Sequence, residues 1–184
     1  MTLGCRAFLR EFILEFERDR DEWNKIYESN PKWTAKMLGT RDSRSKGDFG
    51  LLGEIGQRFG YEIGAEWRRI DQVWFYHLPK PENWKQRPWR NDVVVEHENN
   101  VGNLEYTFVK FEEISAPLKV GIFYPGKEEE EQALQKVQQM VRKQVSYYPG
   151  EVYLVIFGFC DKERGTYWHA YEIDFKGNVV TLHT

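Results

Sequence analysis

The apolar positions of this chain follow two kinds of spacing, and each predicts its own kind of element. Between residues 5 and 29, Phe8, Leu9, Phe12, Ile13, Phe16, Trp23, Ile26 and Tyr27 recur at intervals near three and four, the stripe of an amphipathic helix. Asn30-Pro31 is expected to end it, because a residue before proline is driven out of the helical region. The polar, basic stretch 39–47 reads as a loop. Asp48 is placed to cap a helix running to Phe59, on which Phe49, Leu52, Ile55 or Gly56, and Phe59 share a side and Glu54 is carried. After Gly60, residues 61–78 are rich in aromatic and β-branched side chains and predict two strands with a tight bend at Arg68-Arg69.

The three prolines of 79–91 predict a loop, and Asp92 to Glu98 the next strand. Asn103 is placed to cap a helix with Leu104, Phe108 and Phe111 on one face. Pro117 separates that helix from a short apolar strand, Leu118 to Tyr124. A helix over 128–147 aligns Leu134, Val137, Val141 and Val145, with glutamates 128–131 in its first turn, where the helix dipole favours negative charge. Val152 to Phe159 is nearly all apolar, as in a strand covered on both faces. Residues 166–184 read as a final hairpin turning at Lys176-Gly177-Asn178. This alternation predicts an α/β domain, a mixed sheet between helical layers with right-handed crossovers.

A length of 184 residues suits a single domain over 1–184, and 41% hydrophobic with 16% aromatic residues argues against disorder. No run of about 18 apolar residues is present to span a bilayer, and the first residues interrupt their apolar stretch with charges, unlike a signal peptide. Cys5 and Cys160 are the only cysteines, read as reduced thiols. A soluble, cytoplasmic chain with no membrane partner is expected. The net charge of −3 does not select a polyanion as partner. Two segments depart from it: Lys32, Lys36, Arg41, Arg44 and Lys46 against Asp42, and Lys80, Lys85, Arg87 and Arg90 against Glu82. With Trp33, Trp84 and Trp89 they offer the cations and stacking surfaces of nucleic-acid binders, a composition solvated loops share. The glycine-rich phosphate loop, the dinucleotide fingerprint, the zinc-protease motif and the nucleophile elbow are all absent.

The chemistry-bearing residues lie on the middle strands. Alternation puts Glu96 and Glu98 on one side of their strand with Val94, and Val93, Val95 and His97 on the other. Asp71, on the strand before, is within pairing reach of Glu96. Three acids converging there would make a hard oxygen site for Mg²⁺ or Mn²⁺. The three valines before Glu96 strengthen this, since interior acids need a partner. His97, facing away, is expected to be a packed histidine, and Trp67 and Trp74 to be packing residues.

The order helix with Glu54, strand, strand with Asp71, strand with Glu96-His97-Glu98, helix, strand resembles the PD-(D/E)XK nuclease superfamily, with its restriction-endonuclease-like αβββαβ core. The resemblance implies a nuclease-like core over 48–160, with 1–47 an N-terminal helical extension and basic loop and 161–184 a C-terminal hairpin. It implies a metal-dependent nuclease in which Asp71 and Glu96 bind the metal, the carbonyl of His97 is a third ligand and Glu54 an auxiliary acid. The substrate would be nucleic acid, DNA ahead of RNA, with a homodimer left open. Ile70 stands where the motif has proline, and Glu98 where it has lysine. Glu98 is then a general base or a second-metal ligand, with the missing cation supplied by Lys110 or Lys119. Arg68, Arg69, Lys85, Arg87 and Arg90 join these two lysines as substrate-binding residues. The alternative is a non-catalytic member of the same fold that binds nucleic acid or a protein.

Overall fold

Val93, Val94 and Val95 are fully buried, as a strand apolar on both faces requires, and the sheet extends outward from them on either side. The structure, a computed structural model, describes residues 3–27, 30–77, 89–144 and 150–183. Among these residues seven strands form one sheet in chain order: β1 (Glu62–Trp67), β2 (Ile70–His77), β3 (Trp89–Glu98), β4 (Leu118–Phe123), β5 (Val152–Asp161), β6 (Gly165–Asp174) and β7 (Val179–Leu182). β1, β2 and β3 pair antiparallel, as do β5, β6 and β7. β3, β4 and β5 run parallel, so helices must cross over between them. The fold is α/β with a mixed sheet.

The helices are α1 (Cys5–Arg18), α2 (Arg20–Ile26), α3 (Asn30–Leu38), the single turn α4 (Arg41–Arg44), α5 (Gly50–Arg58), α6 (Leu104–Glu112) and α7 (Glu130–Lys143). Among the described residues, no helix is long and apolar enough to cross a membrane. α1, α2, α3 and α5 bury Phe8, Phe12, Phe16, Trp23, Trp33, Met37, Leu52 and Ile55 against Val93, Val95, Val120, Ile122 and Trp168 on one face of the sheet. α6 and α7 cover Val73, Val94, Phe123, Tyr153, Val155 and Phe157 on the other. Gly56 shows how close α5 comes: a Cβ there would lie 2.6 Å from Ile63 and 2.8 Å from the Trp74 ring.

The N-terminal third differs from its expected form. The helix predicted over 5–29 breaks at Asp19 (φ −122°) into α1 and α2. Pro31, expected only to end a helix, also opens α3, because proline is tolerated in a helix's first turn. Trp33, expected on an exposed loop, is buried among Trp23, Tyr27, Tyr124 and Trp168. Lys36 and Arg44 of the basic segment form ion pairs with Glu22 (2.8 Å) and Glu66 (2.6 Å). β3 begins at Trp89, three residues earlier than expected, and Val145 lies outside the described residues. The hairpin bend falls on Arg68-Arg69 as expected, with φ of 52° and 69°. Those left-handed values, unfavourable for side chains with a Cβ, cost about 1 kcal/mol each.

Candidate functional site

β2 and β3 pair with Gln72 opposite Val95, which sets Asp71 and Glu96 side by side on neighbouring strands. Val94 packs on the α6 face while Val93 and Val95 pack on the opposite one, so alternation sends Glu96 and Glu98 toward α6 and His97 away. The Asp71 N–H donates to Glu96 Oε1 at 3.1 Å, and the His97 N–H donates to Asp71 Oδ2 at 2.8 Å. Each carboxylate is therefore held by the backbone of the other's strand. The crossover helix α6 then lowers Lys110 onto the pair, where its ammonium donates to Glu96 Oε2. Lys110 itself is buried, and Glu96 is 1% exposed.

Burial governs the electrostatics. It pushes the Glu96 carboxyl up to about 8, aided by the charge of Asp71 and opposed by Lys110. Burial also raises Asp71, with the His97 N–H and the charges of Lys110 and Arg44 working against it and Glu98 with it. Because the folded Glu96 holds its proton more tightly than the unfolded one, its contribution to stability is complete below about pH 4.5. That contribution is lost as pH rises toward about 8. In urea titrations, wild type is therefore expected to lose stability relative to Glu96→Gln between pH 5 and 8. The expected slope is about 1 kcal/mol per pH unit, the linkage of one proton. A difference between the two that does not vary with pH would contradict this placement of Glu96.

The other expected site residues are distributed as follows. Glu98 does not join a three-acid cage: it is half-buried, and its Oε1 accepts the Asn100 N–H at 2.9 Å, closing the turn into α6. Among the described residues, no group of three or more His, Cys, Asp or Glu side chains is placed to hold a metal ion. Glu54 sits on α5 across the sheet, largely exposed and 4.0 Å from Arg18, and the structure does not bring it to Asp71. The His97 ring is buried on that far face, where Nε2 meets the Tyr124 hydroxyl at 2.8 Å and burial pushes its pKa down to about 3. Only its backbone belongs to the site. Lys119, 1% exposed, pairs with Glu151 at 2.8 Å and donates to the Phe111 carbonyl at 2.6 Å, so it anchors α6 rather than meeting a substrate. Arg90 chelates Asp92 six residues before Glu96, roughly 20 Å away along the strand. Lys85, Arg87 and Trp84 lie outside the described residues.

Arg68 and Arg69 are exposed in the turn that leads into Asp71, with the Arg68 guanidinium over the Trp67 ring at 4.9 Å. Arg44, singled out only as part of a basic segment, sends its charge to Asp71 from its ion pair with Glu66 on β1. No sequence spacing announces that approach, because α4 and β1 meet only in the folded chain. The site thus assembles a buried and a half-buried acid, one buried lysine and arginines at the Asp71 end. Comparison with protein-family models and with curated proteins yields no match for the chain.

Proposed function

We propose that this chain is a metal-dependent nuclease of restriction-endonuclease-like fold, hydrolysing phosphodiester bonds of nucleic acid through Asp71, Glu96 and Lys110. One observation carries the reading: the Lys110 ammonium rests on Glu96 beside Asp71, supplying from α6 the cation that is missing two residues after Glu96. The path from α5 through the β1–β2 hairpin, β3, α6 and parallel β4 supports the αβββαβ assignment.

The donor set suits Mg²⁺ or Mn²⁺, which bind through one or two carboxylates and complete their shells with water and phosphate. Two acids fit that need. A bound ion lowers the pKa of a water and offsets charge on the transferring phosphate. The residues do the rest. Asp71, held by the His97 N–H, and Glu96, held by the Asp71 N–H, present fixed oxygens. Lys110 offsets the charge of Glu96 and stands ready to orient the attacking water. Arg44, Arg68 and Arg69 hold flanking phosphates, because a polyanion cannot approach two carboxylates without nearby cations.

A non-catalytic reading is favoured by a single feature, that Lys110 already neutralises Glu96 inside the fold. Incubation with plasmid, single-stranded DNA and RNA in Mg²⁺, Mn²⁺ or EDTA separates the two. Cleavage that EDTA abolishes is the expected result. Binding without cleavage under every metal condition would establish the non-catalytic reading instead.

A further inference from the structure

On α6, one turn before Lys110, stands an aromatic side chain that the core does not enclose. Tyr106 is 49% exposed, and the next exposed position on the same face, Val109, is 52% exposed. The remaining large rings of this helix, Phe108 and Phe111, are buried beneath it. The Lys110 ammonium lies 5.3 Å from the centre of the Tyr106 ring and also rests on Glu96. An exposed ring is therefore tied through one lysine to the acid pair of Glu96 and Asp71. A large aromatic left in water beside charged groups forgoes the burial that normally places it in a core.

We infer that Tyr106 is a stacking platform for an unpaired base next to the scissile phosphate, and that the substrate is single-stranded nucleic acid. The inference rests on the nuclease reading and adds its substrate class. Within a duplex both faces of every interior base are covered by neighbouring bases, so a tyrosine ring has a base face to meet only at the ends. In a single strand the faces are free, and aromatic stacking with flanking cations is the usual means of binding without sequence preference. Both parts are present here. Arg68 and Arg69, exposed on the Asp71 side of the acid pair, supply charge for the backbone, while Tyr106 supplies the ring.

The test is fluorescence anisotropy at low salt with Ca²⁺ replacing Mg²⁺. It uses a labelled 12-nucleotide single strand of mixed sequence and the matching blunt duplex. Wild type is expected to bind the single strand more tightly than the duplex. Tyr106→Ala should weaken single-strand binding by roughly five- to 150-fold, the range of one lost stacking contact. Tyr106→Trp should retain it. Because Tyr106 is exposed, circular dichroism of Tyr106→Ala should match wild type. Wild-type affinity in Tyr106→Ala, or equal affinity for strand and duplex, would overturn the inference and leave the nuclease reading standing. No binding of either probe by wild type would remove both. Binding that depends on Tyr106 in a chain that cleaves nothing would sustain the platform and remove only catalysis.

Discussion

Lys110→Met is expected to lower metal-dependent cleavage by about 10²- to 10⁴-fold, the usual contribution of one positioned proton-transfer or charge-stabilising group. Glu98→Ala should change it by less than about tenfold. The contrast follows from what each side chain touches. Lys110 donates to Glu96, the buried member of two acids held at fixed positions. Methionine keeps the apolar stem of lysine, so the helix packing under Phe108 and Phe111 should survive. Without the ammonium, Glu96 loses the charge that opposes its protonation. Its carboxyl, already raised to about 8 by burial and Asp71 against the pull of Lys110, then rises further and yields its proton less readily to an incoming metal ion. Glu98, by contrast, accepts the Asn100 N–H, a bond of about 1 kcal/mol that shapes the turn into α6. Adding Glu98→Lys to Lys110→Met should recover part of the activity by placing a cation on the strand. Initial rates in Mn²⁺, with thermal unfolding as a control for folding, decide the matter. A well-folded Lys110→Met chain with near wild-type rates would move the working cation elsewhere.

A chain beginning at Asp48 is expected not to fold. Residues before it contribute Phe8, Phe12, Phe16, Trp23, Trp33 and Met37, all at most 2% exposed. Burying one such side chain contributes about 1.5–3 kcal/mol, so the six supply about 9–18 kcal/mol, at least as much as the entire net stability of an ordinary domain. Their removal would also bare Val93, Val95, Val120, Ile122 and Trp168 on a whole face of the sheet. Circular dichroism and the dispersion of amide resonances should show an uncooperative or aggregated chain. A shortened chain that unfolds cooperatively would show instead that residues 1–47 are the dispensable extension the resemblance implies.

Periodicity made much of this protein legible before folding. A strand's alternation is a property of consecutive residues, so the facing of Glu96 and Glu98 with Val94, and of His97 with Val93 and Val95, followed from the sequence itself. The bend at Arg68-Arg69, the proline between α6 and β4, and the apolar run of β5 were local in the same sense, whereas Asn103, expected to cap α6, makes no side-chain cap there. Where one signal served two purposes, local reading failed: Pro31 both closes one helix and opens the next. Trp33 looked like a loop residue because nothing nearby reveals Trp168 on β6 and Tyr124 just after β4, which enclose it from distant parts of the chain.

The candidate site was divided along the same line. That Asp71 and Glu96 sit on neighbouring strands could be read from the strand order. That Lys110 meets Glu96 across 14 residues, that Lys119 turns instead to Glu151, and that Glu54 lies across the sheet could not. Each of these depends on which face a helix lays on the sheet. That choice is made by the packing of whole layers, where Phe108 and Phe111 must find Tyr153 and α5 must seat Gly56 on Trp74. The sequence by itself determined which residues a strand presents together, because that is set by bonded neighbours. Only the tertiary structure decided which cation completes the acid pair, because that is set by the burial of side chains far apart in the chain.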